Sequence, residues 1–330
     1  QADAQEALAA RAAALLPGAV PDAMTSDDAA ADGADVALSV VIPCRNAGAT
    51  LARAISGLAD DGWDEPWEIV VADNGSTDDT AAVVAGLRRT YPMLRMVDAS
   101  ERPGAAYARN AGARAARGRS VAFFDADDIP HPGWVAAMGR ALARHEFVAC
   151  RLDAEALNDA RAIAVRGRPQ STGLLPTDYP PYLPAASGGT VGLRRSVFLE
   201  VGGFDETLPL AGEDIEFCWR VQLAGHPLHF VPEAAVSMRF RSDLRDVFQQ
   251  ARRYGYGQPA VYERYRLVDA PAGGPPPPPP RPSRLRAGRI AERLAELGSP
   301  EGRARWVWRC GWYTGVAQGT VRRHLDGIRG

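Results

Sequence analysis

An α/β fold built on a mostly parallel sheet is predicted by three features of this 330-residue chain. Short apolar, β-branched runs alternate with stretches of helical spacing, each apolar run ends in polar residues, and the fourth ends in a cluster of three aspartates. The alternation begins with a strand through Val40, Val41 and Ile42. Leu51, Ile55 and Leu58 then follow at helical spacing, and Ile69, Val70 and Val71 form a second strand. Val83, Val84 and Leu87 mark another helix, Leu94, Met96 and Val97 a third strand, Ala105 to Ala116 a helix, and Val121 to Phe124 a fourth strand. Strict alternation of this kind implies parallel strands joined by right-handed crossovers, with helices on both faces. Ligands of such sheets bind at the carboxyl ends of the strands. Those ends read Pro43-Cys44-Arg45-Asn46, Asp73-Asn74-Gly75-Ser76 and Asp125-Ala126-Asp127-Asp128.

Four segments are expected: an acidic, Ala-rich tail or short helix over 1–36, the α/β domain over 37–265, a Pro-rich linker over 266–282, and a basic, Trp-rich helical segment over 283–330. The first segment holds seven acidic residues against the single Arg11. Pro275 to Pro280 should form polyproline II, about 19 Å long at ~3.1 Å per residue. Residues 281–330 carry eleven Arg against four acidic residues, with Trp306, Trp308, Trp312 and Tyr313 among them. Two readings of that end stay open: a helix lying on an anionic membrane surface, or a helical pair whose aromatics pack back on the body.

A net charge of -2 argues against a dedicated nucleic-acid binder. Every basic residue other than histidine is Arg. Cys44, Cys150, Cys218 and Cys310 are far apart and form no CxxC pair, so neither a zinc knuckle nor a disulfide framework is expected. No apolar run approaches the ~20 residues needed to span a bilayer, so a cytoplasmic setting is expected, peripheral to the membrane if the basic end touches lipid.

Asp125, Asp127 and Asp128 repel one another unless something positive sits among them. A divalent cation carrying a diphosphate would satisfy them, since carboxylates are hard oxygen ligands suited to Mg²⁺ or Mn²⁺. A solvated turn whose aspartates cap the next helix is the competing reading. The stretch from Asp73 to Asp79 makes an Asn-Gly turn and caps a helix, and Asp73 could in addition accept the imide N–H of a pyrimidine. Gly212 precedes the acidic pair Glu213 and Asp214, which opens an amphipathic helix whose positive end favours an ionised Asp214.

Taken in order, these motifs resemble family 2 glycosyltransferases, whose nucleotide-sugar domain is called GT-A. The VIP-x-x-N pattern matches Val41 to Asn46, D-x-GS-x-D matches Asp73 to Asp78, and G-x-x-x-A-R-N-x-G matches Gly104 to Gly112. D-x-D matches Asp125 to Asp127, GG-x-x-x-x-RR matches Gly188 to Arg195, GGFDE matches Gly202 to Glu206, and the ED-x-(D/E)-x-x-x-R helix matches Glu213 to Arg220. The resemblance implies a GT-A fold with a helical C-terminal extension, and an inverting, metal-dependent transferase of hexosyl type. The donor it implies is a nucleotide sugar, most plausibly a UDP-sugar, and the acceptor a hydroxyl on a glycan, lipid-linked, peptide or small-molecule substrate. By the same resemblance Pro43 and Arg45 line the base pocket, Asp73 binds the base, and Asp125 and Asp127 hold Mn²⁺ or Mg²⁺ with the sugar diphosphate. Asp214 is then the catalytic base, Gly188 and Gly189 let backbone pass beneath the sugar, and Arg109 either contacts phosphate or pairs with Asp73 or Asp127 for structure.

Two departures from the pattern stand out. Arg45 occupies the place of a base-stacking aromatic, and Met238 falls where relatives carry a metal- or diphosphate-binding His, leaving Arg239 or Arg241 to neutralise the diphosphate. A non-catalytic nucleotide-sugar or partner-binding module is therefore a competing reading. A nucleotidyltransferase ranks lower, because the loop from Pro43 to Gly48 lacks the basic, Gly-rich character it would need. The Pro-rich stretch 166–187 has little periodicity and is expected to form a mobile acceptor-side lid.

Overall fold

The computed structural model describes residues 36–208, 210–266 and 296–329. The acidic tail, the proline run and most of the linker lie outside the described residues. Eight strands form one sheet: β1 (Leu38–Cys44), β2 (Trp67–Asp73), β3 (Leu94–Asp98), β4 (Ser120–Phe123), β5 (Ile129–Pro130), β6 (Phe147–Asp153), β7 (Val191–Arg194) and β8 (Leu228–Ser237). Their order across the sheet is β3-β2-β1-β4-β7-β6-β8-β5. The helices are α1 (Gly48–Ala59), α2 (Thr80–Leu87), α3 (Ala105–Ala115), α4 (Trp134–Arg144), α5 (Ala160–Arg166), α6 (Arg195–Glu200), α7 (Glu213–Leu223), α8 (Leu244–Tyr265) and α9 (Pro300–Arg329).

Period-two alternation along the strands sorts the core into two layers. Val40, Ile42, Ile69, Val71 and Phe124 face Leu51, Ile55 and Leu58 of α1 and Trp134 and Met138 of α4. Val41, Val70, Phe123, Phe147 and Leu193 face the opposite layer with Ala113 of α3, Phe198 of α6 and Phe217 of α7. Because β1, β2 and β4 are covered on both sides, they read as continuous apolar runs, as buried parallel strands do.

The sheet is not parallel throughout. Strand β7 runs antiparallel to both β4 and β6, and β5 runs antiparallel to β8 at the edge. Strict alternation in the first half of the chain predicts a uniform direction, but after α5 the chain makes no crossover of that kind. It returns through the stretch 167–190 and enters β7 from the end of the sheet at which β4 finishes. As a consequence Gly189, just before β7, meets Asp125, just after β4, and Gly188 meets Arg109 of α3.

The C-terminal helix packs back on the body. Gly311, Gly315 and Gly319 recur every fourth residue on α9, and a Cβ at each would overlap or crowd the carbonyl oxygens of Phe248, Arg252 and Tyr256 on α8. Small residues at this spacing let two helix backbones approach closely. Trp308 lies edge-on to Tyr254 at 5.9 Å, and the Arg166 guanidinium sits 4.5 Å from the Trp308 ring centre. Of the two readings of the basic, Trp-rich end, this packing favours the one in which aromatics turn inward, although Tyr313 remains exposed. No helix among the described residues is long and apolar enough to cross a membrane.

Candidate active site

The loops after β1 and β2 are laced together by side chains. The backbone N–H of Asn46 donates to Ser76 Oγ at 2.9 Å, and Asn46 Oδ1 accepts from the Thr77 N–H at 2.8 Å. Gly48 N–H donates to Asp78 Oδ2 at 3.0 Å, and Ala47 N–H to Thr80 Oγ1 at 2.9 Å. Pro43 and Asp73 are half-buried at this junction while Arg45 is exposed. The Ser76 N–H donates to Asp73 Oδ1 at 3.1 Å, so one oxygen of that carboxylate is held by its own turn. Burial, aided by Asp73 and Asp78, pushes the Cys44 thiol up to about 12 and leaves it a neutral packing group.

Two asparagines set the neighbouring loops. Asn74 accepts from the Gly104 N–H at 2.8 Å and donates to the Arg102 carbonyl at 2.7 Å, fixing the turn that launches α3. Asn110 accepts from the Phe204 N–H and donates to the Phe204 carbonyl, both at 2.8 Å, which ties α3 to the Gly202–Glu206 turn. Asn110 is thus a scaffold residue.

Arg109 stands at the centre of the site. Its side chain is only 7% exposed, Nη2 donates to Asp125 Oδ1 at 2.9 Å, and Nη1 reaches Glu213 Oε1 at 3.4 Å. The pairing partners are therefore Asp125 and Glu213, where the sequence suggested Asp73 or Asp127. Its Nε is buried with no partner among the described residues. Gly188 and Gly189 close over this pair. A Cβ on Gly188 would lie 3.0 Å from the guanidinium carbon, and one on Gly189 would overlap the Asp125 carboxylate. The two glycines are needed for this close approach of backbone to an ion pair.

Asp214 occupies the first turn of α7. Gly212, at φ 98°, makes the left-handed turn into the helix, and Gly257 of α8 nests against Ala211 so closely that a Cβ would overlap its carbonyl. The Ile215 N–H donates to Asp214 Oδ1 at 2.9 Å. Burial raises the Asp214 carboxyl to about 6; Glu213 adds to the rise, and Arg109 opposes it. The helix terminus was expected to favour the ionised form, but desolvation and the adjoining Glu213 outweigh it. Glu216, in the same first turn, is fully buried and paired with Arg220 at 2.7 Å and with the Tyr265 hydroxyl at 2.9 Å. Trp219 fills core and donates to the Leu183 carbonyl at 2.8 Å, so it does not wall the site.

The aspartate cluster is crowded as its spacing implies. Asp128 is buried and accepts from the Arg239 N–H at 3.1 Å, while Asp127 Oδ2 pairs with Arg241 Nη2 at 3.3 Å. Burial raises both carboxyls, and the repulsion of Asp125 raises them further. Three carboxylates within four residues form a hard-oxygen donor set that suits a divalent cation. Among the described residues no group of three or more His, Cys, Asp or Glu converges as a closed metal cage. Met238 is half-buried against the cluster that holds Phe240, and its thioether is a poor ligand for a hard cation.

Sequence reasoning missed two contributors. Tyr254 of α8 packs edge-on to Trp308 and under the Arg166 guanidinium; desolvation raises its phenol, and Asp214, Asp125 and Glu213 add to the rise. Asn158 clamps the segment after β8, donating to the Met238 carbonyl and accepting from the Phe240 N–H, both at 2.7 Å. Neither carries a local motif, since each acts through an element distant in sequence. The stretch 167–190 is anchored by Gln170, which donates to the Cys150 carbonyl and to Thr190 Oγ1 and accepts from the Ser187 N–H.

Acidic strand ends on an α/β sheet thus face an acidic helix start across a single arginine. The chain matches the family model described as glycosyl transferase family 2 over residues 39–202, and that described as glycosyl transferase family group 2 over residues 176–321. It belongs to the family 2 glycosyltransferases. Its relatives include the pre-mycofactocin glycosyltransferase of Mycobacterium tuberculosis, 30% identical over an aligned length of 254, with 71% of this chain and 49% of that protein covered. The chain thus spans about half the length of this curated relative. Among solved structures, the mannosyltransferase PcManGT from Pyrobaculum calidifontis, described in complex with GDP-Man and Mn²⁺, aligns at a TM-score of 0.53 and 20% identity, covering 99% of this chain and 88% of that one. GalNAc-T7, described with UDP, GalNAc and Mn²⁺, aligns at 0.51 and 21% identity over 63% of this chain and 44% of its own. The fold is GT-A.

Proposed function

We propose that this chain transfers a sugar from a nucleotide donor to an acceptor hydroxyl with inversion, using Asp214 as base. The observation that carries the reading is Arg109, one guanidinium bound at once to Asp125 of the aspartate motif and to Glu213 beside Asp214. That bond brings the two acidic motifs to one place, as in-line displacement requires. Asp214 takes the acceptor's proton as the acceptor oxygen bonds to the anomeric carbon, and the bond from that carbon to the diphosphate oxygen breaks on the opposite side. A carboxyl raised to about 6 is a better base than an ordinary aspartate and is still mostly ionised at pH 7.

Pro43, Arg45 and Asp73 bind the base in this reading, and uracil suits the free oxygen of Asp73. Asp125 and Asp127 would hold Mn²⁺ or Mg²⁺, which supplies charge neutralisation for the departing diphosphate. Gly188 and Gly189 present backbone to the donor sugar. The solved neighbours described with Mn²⁺ and UDP or GDP-Man support a nucleotide-sugar donor and a divalent cation without fixing which nucleotide.

A thermal-shift series with UDP, GDP and other nucleoside diphosphates, with and without Mn²⁺, tests the donor site, because stabilisation follows ligand affinity. Stabilisation by one nucleotide that requires Mn²⁺ and is lost in Asp127→Ala is expected. Asp214→Asn should keep that binding and abolish transfer; transfer at the parental rate would rule out the assigned base. Donor binding with neither transfer nor donor hydrolysis over a broad acceptor panel would favour a non-catalytic module.

A further inference from the structure

We propose that Arg241 is a tethered counter-ion which occupies Asp127 before the donor arrives and moves to the donor's diphosphate when a cation takes its place. The proposal rests on the cation reading above. Three observations carry it. Arg241 Nη2 lies 3.3 Å from Asp127 Oδ2, with the Arg241 side chain exposed at 49% and that of Asp127 half-buried at 35%. An ion pair with so solvent-open an arginine is weakly held and exchanges readily. The backbone on either side of Arg241 is pinned, by Asn158 at Met238 and Phe240 and by Arg161 Nη2 at the Ser242 carbonyl at 2.8 Å. Only the side chain has to rotate.

The third observation is what surrounds Asp127. Asp125 already belongs to Arg109, and Asp128 is buried on the Arg239 N–H. Asp127 is the carboxylate of the three whose partner is solvent-exposed, and so the one a cation can claim at least cost. A cation arriving there releases Arg241 with its backbone still fixed beside the site. The nearest new anion would be the diphosphate that the cation carries, and a guanidinium suits phosphate oxygens bidentately. Arg241 then does for the diphosphate what Met238 cannot, from three residues further along the same strap. It contributes charge in both states, first to the empty acid cluster and then to the leaving group.

A merely structural arginine would weaken both ligands when removed, whereas this one must act on them with opposite sign. The test is Mn²⁺ binding to the full chain without nucleotide, followed by electron paramagnetic resonance, and then UDP binding by calorimetry at saturating Mn²⁺, with GDP used instead if the thermal-shift series selects it. Arg241→Gln should bind Mn²⁺ alone about three- to tenfold more tightly and the nucleotide at least fivefold more weakly, while Arg241→Lys stays within about twofold of the parent on both. Unchanged or weakened Mn²⁺ binding in Arg241→Gln overturns the proposal. Asp127→Asn separates this from the underlying reading: it should lose Mn²⁺ binding, and if it binds Mn²⁺ like the parent, the cation reading fails and the exchange fails with it.

Discussion

Asp214 shows how environment decides the use of a residue. An aspartate at the head of a helix is by itself a dipole-complementing group, but here burial and Glu213 raise it to about 6. Transfer, measured as kcat/KM, should therefore rise with pH through about 6 and level off above 7. Glycine 189 is the second position where one atom matters. Gly189→Ala drives a Cβ into the Asp125 carboxylate and should lower kcat/KM at least tenfold with the circular dichroism spectrum unchanged. Gly188→Ala, whose Cβ meets the movable end of Arg109, should be the milder of the pair, and the reverse ranking would contradict the packing described. The motifs containing Asp73, Asp125, Asp127 and Asp214 were legible because each lies at a strand or helix end. Arg109's partners were not, since pairing across 16 and 104 residues leaves no local signal.

At the scale of elements, the fold is a set of paired loops on a rigid sheet. Asn46 and Asp78 join the first two, Asn74 and Asn110 the next, and Gly212 with Gly257 fixes the start of α7. The close approach of α8 and α9 gives a sharp test. Gly315→Leu places a branched side chain against the Arg252 carbonyl and should cost about 1–3 kcal/mol, read as a lower denaturation midpoint, whereas Cys310→Ser on the exposed face should be neutral. Strands β1 to β4 follow directly from their apolar runs. The reversal of β7 does not, because four residues, Val191–Arg194, carry no mark of direction; the path of the chain before them sets it.

For the whole molecule, the raised carboxyls of the acidic site are a source of instability near neutral pH. Asp214, Asp127 and Asp128 all have folded-state carboxyls raised above the ordinary value. These three groups hold their protons to higher pH in the folded state than in the unfolded one, so the stability they contribute falls as pH rises toward and through about 6. Melting temperature should be higher at pH 5.5 than at pH 7.5. Asp214→Asn should flatten this trend and raise stability at pH 7.5 by on the order of 1–3 kcal/mol. A variant that melts below the parent at pH 7.5 would contradict the burial-driven shift. Function and stability pull apart here, since the charge that would accept a proton is also the one burial disfavours.

The amino-acid order alone determined the α/β class, the strands that end in acid, and the identity of the acidic motifs, because strand periodicity and turn chemistry are local properties. What only the tertiary structure decided is which charges meet: that Arg109 bridges two motifs, that Arg241 rests on Asp127, and that desolvation outweighs the helix terminus at Asp214. Those are matters of distance and burial, and both are set by the packing of elements far apart along the chain.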